Sequence, residues 1–326
     1  MTSSRASAPA KVILTGEHAV VYNEPALVMA INRRAHVAVT TTRGDSVELS
    51  STDLKKTERF PMRETSELRS IETVGGTLRP YLTVLRQVAR KAEYYGGLKV
   101  SIQSEIPSSA GLGSSAAIGV AMSAALGNCL GLRLGKERIS KIAFESEKLF
   151  HGHPSGIDNL VSTQGGLIVF RRNEGFLPVE SPANLQLVIG MTNVERSTAD
   201  QVAKVAETVK EHHDVGQLLL HCIGHLTIEA VGAVRDGNVE AVGRLLSLNH
   251  WLVNALGVSN PLLDRLVYAS LKAGALGAKL TGAGGGGCMI ALVTTKTEDA
   301  VAEAIEREGC THLKVKQSQA GVQSEK

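Results

Sequence analysis

The chain has 326 residues, 43% of them hydrophobic and 21% charged, which supplies material for a large core and argues against intrinsic disorder. Its 35 basic and 32 acidic residues give a net charge of +3, and only 3% of the residues are aromatic. This balance argues against a protein that binds nucleic acid or a membrane surface. The four cysteines form no C-x-x-C pair, so we expect neither a disulfide framework nor a structural zinc site. No apolar run approaches the ~20 residues of a transmembrane helix.

Short strands and helices are predicted along the first half of the chain. Apolar spacing predicts strands at 11–14, 35–41, 98–106 and 167–170, and helices at 78–95, 115–130 and 136–150. Residues 43–76 are polar and charged, with few periodic features. A loop at 151–156 leads to Asp158.

A composition shift at 172–184, which includes two prolines and a glycine, predicts a domain boundary. Beyond it the patterns predict strands at 185–192, 277–281, 288–294 and 311–316, and helices at 198–213, 217–235, 238–255, 261–274 and 297–308. Because strands and helices do not alternate regularly, we expect an α+β fold in two lobes. The predicted domains are residues 1–180 and 181–326.

The chain contains 33 glycines, many of which lie in two loops. The first of these loops is G-L-G-S-S-A at 111–116. It follows a predicted strand and opens a predicted helix, so its backbone N–H groups and the helix dipole favour an anion. The spacing also fits a weak dinucleotide fingerprint. However, Glu137, the acidic residue about 20 positions on, stands at a helix start instead of a strand end. No Walker A string is present. The loop predicts phosphate binding, with a plain strand-to-helix turn as the alternative.

The second loop, K-L-T-G-A-G-G-G-G at 279–287, has five glycines in six positions. Such a run has a large conformational entropy in the unfolded chain, which a close backbone approach to a ligand would justify. A flexible hairpin is the alternative interpretation.

Several polar residues are candidates for chemistry. Lys11 enters an apolar strand and therefore needs an anionic partner. Ser115, Glu147 and Asp158 form a hard-oxygen set that suits Mg²⁺ and a general base, although a surface Glu and a helix N-cap Asp are alternatives. The histidines at 212–225 follow an amphipathic helical pattern, which disfavours a zinc site.

Three motifs resemble those of the GHMP small-molecule kinases. Residues 8–22 (A-P-A-K-V-I-L-T-G-E-H-A-V-V-Y) resemble their first signature, residues 107–117 their phosphate-binding motif, and residues 279–288 their third motif. Within that group, K-V-I-L-x-G-E-H-A-V-V, H-G-x-P-S-G-I-D-N and K-L-T-G-A-G-G-G-G-C are together similar to the mevalonate kinase family. The resemblance extends from about residue 8 to residue 294. The string G-E-H-A-V-V disfavours galactokinases and diphosphomevalonate decarboxylases.

The resemblance implies a two-lobed GHMP kinase fold with the active site in the cleft. It also implies ATP and Mg²⁺ as cofactors, and phosphorylation of the C5 hydroxyl of mevalonate in isoprenoid and sterol precursor synthesis. Asp158 would take the hydroxyl proton, and Lys11 would keep Asp158 ionised and stabilise the developing charge. Ser115 and Glu147 would hold Mg²⁺. The implied phosphate-binding segment comprises Pro107, Ser108, Ser109, Ala110, Gly111, Leu112, Gly113, Ser114, Ser115 and Ala116. The implied substrate-binding residues are Glu17, His18, Arg196, Thr198, Gly282, Ala283 and Gly284.

Two departures from the family pattern affect the rim of the site and remove no catalytic group. Thr15 stands where many relatives carry His, and Ser108-Ser109 replaces a Pro-Gly pair. Another GHMP kinase, such as a phosphomevalonate kinase, stays open as an alternative, as does a non-catalytic metabolite sensor on the same fold.

We expect a cytoplasmic protein that binds mevalonate and ATP but neither nucleic acid nor membranes. A peroxisome-type organelle, a mitochondrion and a homodimer stay open. We hypothesise that the adenine pocket lies within residues 43–76.

Overall fold

The computed structural model describes residues 1–62, 77–107, 110–151, 154–194 and 197–325. Three of the site residues named above, Ser108, Ser109 and Arg196, lie outside these ranges. So do residues 63–76 of the segment in which we placed the adenine pocket.

A large sheet, with eight strands in the described part of the chain, dominates the first lobe. Its two longest strands, β1 (Ser3–Thr15) and β2 (Ala26–Thr42), pair antiparallel along most of their length. The other strands are β3 (Ser46–Ser51), β4 (Lys56–Pro61), β5 (Gly97–Ser104), β6 (Leu167–Arg171), β7 (Gly175–Val179) and β12 (Gln323–Glu325). The main order is β12-β1-β2-β5-β3-β4, and β6 extends β2 and pairs in turn with β7. Only the β3–β5 pair is parallel among these described pairings.

Four helices cover this sheet in the described residues: α1 (Tyr81–Lys91), α2 (Ser114–Cys129), α3 (Lys136–His151) and α4 (Ile157–Gln164). Helix α2 is apolar on every side, with most of its residues buried. A helix of that composition belongs in the interior. It packs against β1, β2 and α3, and this fixes the loop before it close to the end of β1.

The second lobe has a four-stranded antiparallel sheet in the order β11-β8-β10-β9, as far as the described residues go. Its strands are β8 (Gln186–Met191), β9 (Gly277–Thr281), β10 (Cys288–Val293) and β11 (Thr311–Lys316). Its helices are α5 (Thr198–Glu211), α6 (His213–Arg235), α7 (Val239–Ala255), α8 (Pro261–Lys272) and α9 (Glu298–Arg307).

Side-chain caps define several of these helix starts. The Ser197 side chain accepts a hydrogen bond from the Asp200 N–H at the start of α5. Asn260 does the same for α8, where Pro261 occupies the first turn. Both are residue types that satisfy the free N–H groups of a helix N-terminus, so the helix starts follow from local sequence.

One hydrophobic cluster spans both lobes, and a second cluster lies mainly within the second lobe. Buried residues of β2 and α2, such as Val37 and Leu126, belong to the same cluster as Leu187 of β8 and Ile290 of β10. After β11 the chain returns to the first lobe, where β12 pairs with β1. The chain moves between the two sheets after Val179, and the boundary at residue 180 stays a prediction.

Helix α6 bears on the expected lack of a transmembrane helix. Among the described residues, α6 is the one helix that is both long enough and apolar enough to cross a membrane, by length and composition alone. Leu220, Ile223 and Leu226 of this helix are buried in the protein. Core helices pass the same test, so the finding is weak evidence for a membrane span.

The structure shows strands in two segments where the sequence pattern predicted none. Residues 43–76 showed few periodic features, yet their described part contains β3 and β4, in which Val47, Leu49 and Phe60 are buried. The predicted boundary segment contains β7, which pairs with β6 and so belongs to the first sheet.

Candidate active site

The structure brings Lys11 and Asp158 together, 147 positions apart in sequence. Lys11 Nζ lies 3.1 Å from Asp158 Oδ1, and the two side chains are 6% and 31% exposed. Lys11 lies near the end of β1, and Asp158 occupies the first turn of α4 after Gly156, whose φ is 81°. The carboxylate is the anionic partner that a buried lysine requires, and it stays accessible from one side.

The first glycine loop lies directly against this ion pair. Gly113 caps α2 with φ 76°, and a Cβ placed there would lie 3.1 Å from Lys11 Cγ and 3.4 Å from Asp158 Oδ2. The Lys11 N–H donates to the Leu112 carbonyl at 3.0 Å, which ties the loop to β1. The N-cap residue of α2 is Gly113 itself, which has no side chain to cap the helix and lies against Lys11. The N–H groups of a helix N-terminus are donors that an anion can accept from. The arrangement suits a phosphate group.

Glu147 stands next to this pair on α3 and is 2% exposed. Burial raises its pKa to about 7, and the negative charge of Asp158 adds to the rise. A hydrogen bond from the Ser115 side chain and the charge of Lys11 act in the opposite direction. Ser115, Glu147, Asp158 and Lys11 therefore form one cluster, as the sequence predicted for three of them.

The first motif makes a tight turn after β1. Gly16 has φ +98°, and a Cβ there would lie 2.4 Å from the Pro25 carbonyl oxygen. His18 adopts φ 61°, a left-handed conformation that is uncommon for a non-glycine residue, and begins a short 3₁₀ helix at Ala19–Tyr22. Its Nε2 lies 2.9 Å from the Ala283 carbonyl oxygen. The first motif thus contacts the third.

Glycines of the third motif allow three close contacts in the loop between β9 and β10. A Cβ on Gly284 would lie 2.2 Å from the Val258 carbonyl oxygen. On Gly285 it would meet the Gln201 side chain at 2.6 Å, and on Gly286 the Val194 carbonyl oxygen at 2.8 Å. The glycine content of the loop therefore has a packing reason in addition to any ligand. Gln201 lies one turn after Thr198 on α5, so Thr198 stands near the same loop.

The structure thus gathers most of the predicted residues into two adjoining groups. Lys11, Asp158, Ser115 and Glu147 lie around the first glycine loop, while His18, Thr198 and Gly282–Gly284 lie around the third motif. Their individual roles stay predictions. Glu17 is 1% exposed, and its carboxylate is bound to Lys279 and Asn249.

Asn249 and His250 were not predicted as site residues from the sequence. Both are 0% exposed on α7 and contact the first and third motifs. The available signal was a polar pair inside the apolar run L-N-H-W-L-V.

Comparisons with known proteins point to one family. The family described as GHMP kinases N terminal domain matches residues 80–166, and GHMP kinases C terminal matches residues 230–311. A mevalonate kinase of Thermococcus sibiricus is 38% identical over 330 residues, covering 98% of each chain.

Two solved structures have the same fold. The crystal structure of the Methanococcus jannaschii mevalonate kinase matches with a TM-score of 0.86 and 29% identity, over 96% of this chain and 98% of that one. The L. major mevalonate kinase in complex with R-mevalonate matches with a TM-score of 0.80 and 29% identity, over 95% and 94%. The predicted α+β GHMP kinase fold is confirmed, and the chain belongs to the GHMP kinases, within their mevalonate kinase family.

Proposed function

We propose that this protein transfers the γ-phosphate of ATP to the C5 hydroxyl of mevalonate, giving 5-phosphomevalonate for isoprenoid precursor synthesis. The observation that carries the proposal is the Lys11–Asp158 pair, held against a glycine loop at a helix N-terminus. Full-length similarity to mevalonate kinases supports the choice of acceptor.

Asp158 is the general base. It accepts the proton of the C5 hydroxyl as that oxygen forms a bond to the γ-phosphorus, while the bond from the γ-phosphorus to the bridging oxygen of ADP breaks. ADP leaves with the bonding electrons, and the proton passes from Asp158 to solvent. Lys11, 3.1 Å from the carboxylate, stabilises the negative charge that develops on the transferred group.

The backbone of the first glycine loop binds the phosphates of ATP. Gly113 brings the N–H groups of the first turn of α2 close to Lys11, so the nucleotide and the base meet at one point. Larger residues at position 113 would occupy the space of the Lys11 and Asp158 side chains. The glycine is therefore required by the ion pair as well as by the phosphates.

The donor set of Ser115 and Glu147 fits Mg²⁺. Its oxygens are hard ligands, and a cation would offset the burial and the repulsion from Asp158 that together raise the pKa of Glu147. In the described part of the chain no three His, Cys, Asp or Glu side chains group around one point. One or two carboxylates together with ATP phosphates are the usual Mg²⁺ set. When bound, the metal would neutralise negative charge on the ATP phosphates.

The acceptor binds between the His18 turn and the third motif, and the family resemblance assigns Thr198 and Arg196 to its binding as well. A phosphomevalonate acceptor would need further cations beyond those that the sequence offers at this end of the site. A non-catalytic sensor would not need the Lys11–Asp158 pair.

An ADP-release assay across four acceptors tests the proposal. Mevalonate, phosphomevalonate, galactose and homoserine are each offered with Mg-ATP in a coupled assay. We expect release with mevalonate at a rate far above the other three. No release with mevalonate, or faster release with another acceptor, would overturn the function.

A further inference from the structure

A second buried ion pair lies outside the chemistry described above. Lys279 of β9 is 0% exposed and contacts Glu17, which is 1% exposed. Burial lowers the pKa of Lys279, and the Glu17 carboxylate acts in the opposite direction. A buried ion pair contributes little net stability, because removing both charges from water costs about as much as their attraction returns. Its presence calls for another explanation.

The Glu17 side of the pair holds the turn of the first motif. Asn249 Nδ2 donates to Glu17 Oε2 at 3.1 Å, and Asn249 Oδ1 accepts from the Gly16 N–H at 3.3 Å. Two successive residues of the turn are thus fastened to α7. The next residue is His18, whose left-handed backbone conformation needs such support.

The Lys279 side holds the strand that leads into the third motif. Lys279 Nζ donates to the Leu280 carbonyl as well as to Glu17. The Leu280 N–H donates to His250 Nδ1 at 3.3 Å. Burial, with Lys279 as a lesser cause, lowers the pKa of His250 to about 4, so the ring is neutral and can accept.

The two sides meet at the substrate end of the site. His18 Nε2 lies 2.9 Å from the Ala283 carbonyl oxygen, so the turn and the third motif touch directly beyond the ion pair. Thr281 forms a second link, between β1 and β9. Its hydroxyl accepts a hydrogen bond from the Ile13 N–H and donates one to the Ile13 carbonyl. A shift of the pair would therefore change the distance between His18 and the Gly282–Gly284 backbone.

We propose that Glu17 and Lys279 are positioning residues that set the spacing between His18 and the third motif, and so the affinity for the phosphoryl acceptor. Glu17 acts through Lys279 and Asn249 and does not touch the substrate. The inference rests on the proposed function for the identity of that acceptor.

The test uses a double substitution, because Glu17→Gln alone leaves a buried lysine unpaired and endangers folding. Glu17→Gln with Lys279→Met removes both charges and keeps similar volumes. Asp299→Asn is the matched control, since it breaks a Lys–carboxylate pair with Lys314 on the exposed surface of the same lobe.

We expect the double variant to raise KM for mevalonate roughly tenfold, with kcat and KM for ATP within about threefold of the wild type. The control leaves all three unchanged. An unchanged KM for mevalonate, or an equal rise for both substrates, would overturn the inference.

Hydrogen exchange in the substrate-free protein decides the same question without mevalonate. The double variant should exchange faster at residues 16–22 and 282–287 and at the wild-type rate elsewhere. A uniform increase would indicate a merely stabilising role and would contradict the inference, as would unchanged exchange. If the wild type releases no ADP with mevalonate, the proposed function fails, while the exchange result still decides the positioning role.

Discussion

Asp158 is the residue on which the proposed transfer depends, because it is the partly exposed carboxylate paired with Lys11. Asp158→Asn keeps the shape and removes the base, so we expect kcat to fall by roughly 10²- to 10⁴-fold. Steady-state ADP release measures the loss, and circular dichroism should show an unchanged fold. Glu137→Gln, which alters an exposed carboxylate on α3, is the control. Near-normal turnover of the Asp158 variant would exclude it as the base.

Glu147 should make the stability of the metal-free protein depend on pH. Its pKa is raised from 4.5 to about 7 on folding, so between these values the folded protein binds more protons than the unfolded chain. The free energy of unfolding therefore falls as the pH rises through that window and stays lower above it. Glu147→Gln removes this dependence.

Thermal unfolding in the absence of Mg²⁺ measures the effect. The Tm of Glu147→Gln minus that of the wild type should increase from about pH 4.5 to about pH 7, the window that the raised pKa defines. A difference that stays constant across the window would show that Glu147 is ionised at the same pH in both states.

At the scale of elements, strongly patterned segments could be predicted and weakly patterned ones could not. The helix at 115–130 appears at Ser114–Cys129, because its apolar composition leaves few alternatives. Strand β1 is much longer than the predicted 11–14, since its first half is mostly Ser and Ala, which carry little strand preference. Strand β12, Gln-Ser-Glu, has no apolar residue and is held by backbone pairing with β1.

Some residues of the candidate site could likewise be predicted from the sequence, and others could not. The composition of the glycine loops was enough to predict them as site elements. Lys11 could be predicted because a lysine in an apolar strand is unusual. Asn249 and His250 interrupt an apolar run, but only the packing of α7 on β9 shows that they point inward. Long-range partnerships of this kind leave no local periodicity in the sequence.

A substitution at Gly113 tests the close contact between the first glycine loop and the ion pair. Gly113→Ala adds a Cβ 3.1 Å from Lys11 Cγ, at a φ of +76° that disfavours alanine. We expect a loss of roughly 1–2 kcal/mol in stability from the backbone and, from displacement of the ion pair, a fall in kcat of about tenfold or more.

Gly131→Ala separates the two effects. Gly131 has φ +75° and nothing within 4 Å of an added Cβ. Its substitution should cost similar stability in urea unfolding and leave kcat unchanged. Equal loss of kcat in both variants would contradict the close-contact explanation.

At the scale of the whole molecule, the end of the chain ties the two lobes together. Arg34 of β2 donates from Nη2 to the Ser7 and Gly321 carbonyls at 3.0 and 2.7 Å, and from Nη1 to the Ala320 carbonyl at 3.3 Å. These bonds hold the segment between β11 and β12 on the first sheet. Arg34→Met should lower the free energy of unfolding by roughly 2 kcal/mol or more, because several charged hydrogen bonds are lost.

Urea unfolding checks this value, with Arg59→Met as the control. Arg59 is 76% exposed and pairs with Glu48 on the surface, so its loss should change stability by no more than about 0.5 kcal/mol. Equal effects of the two substitutions would mean that the return of the chain to the first sheet does not depend on Arg34.

Transfer of the phosphate to the C5 oxygen of mevalonate is tested most directly by ³¹P NMR of the product. The C5 oxygen is attached to a CH₂ group, so a phosphate there couples to two protons and gives a triplet in the proton-coupled spectrum. Transfer to the C5 oxygen predicts this triplet from wild-type protein with mevalonate and Mg-ATP, and its absence from the Asp158→Asn reaction over the same time. A singlet from the tertiary C3 oxygen, or a signal of inorganic phosphate alone, would contradict it.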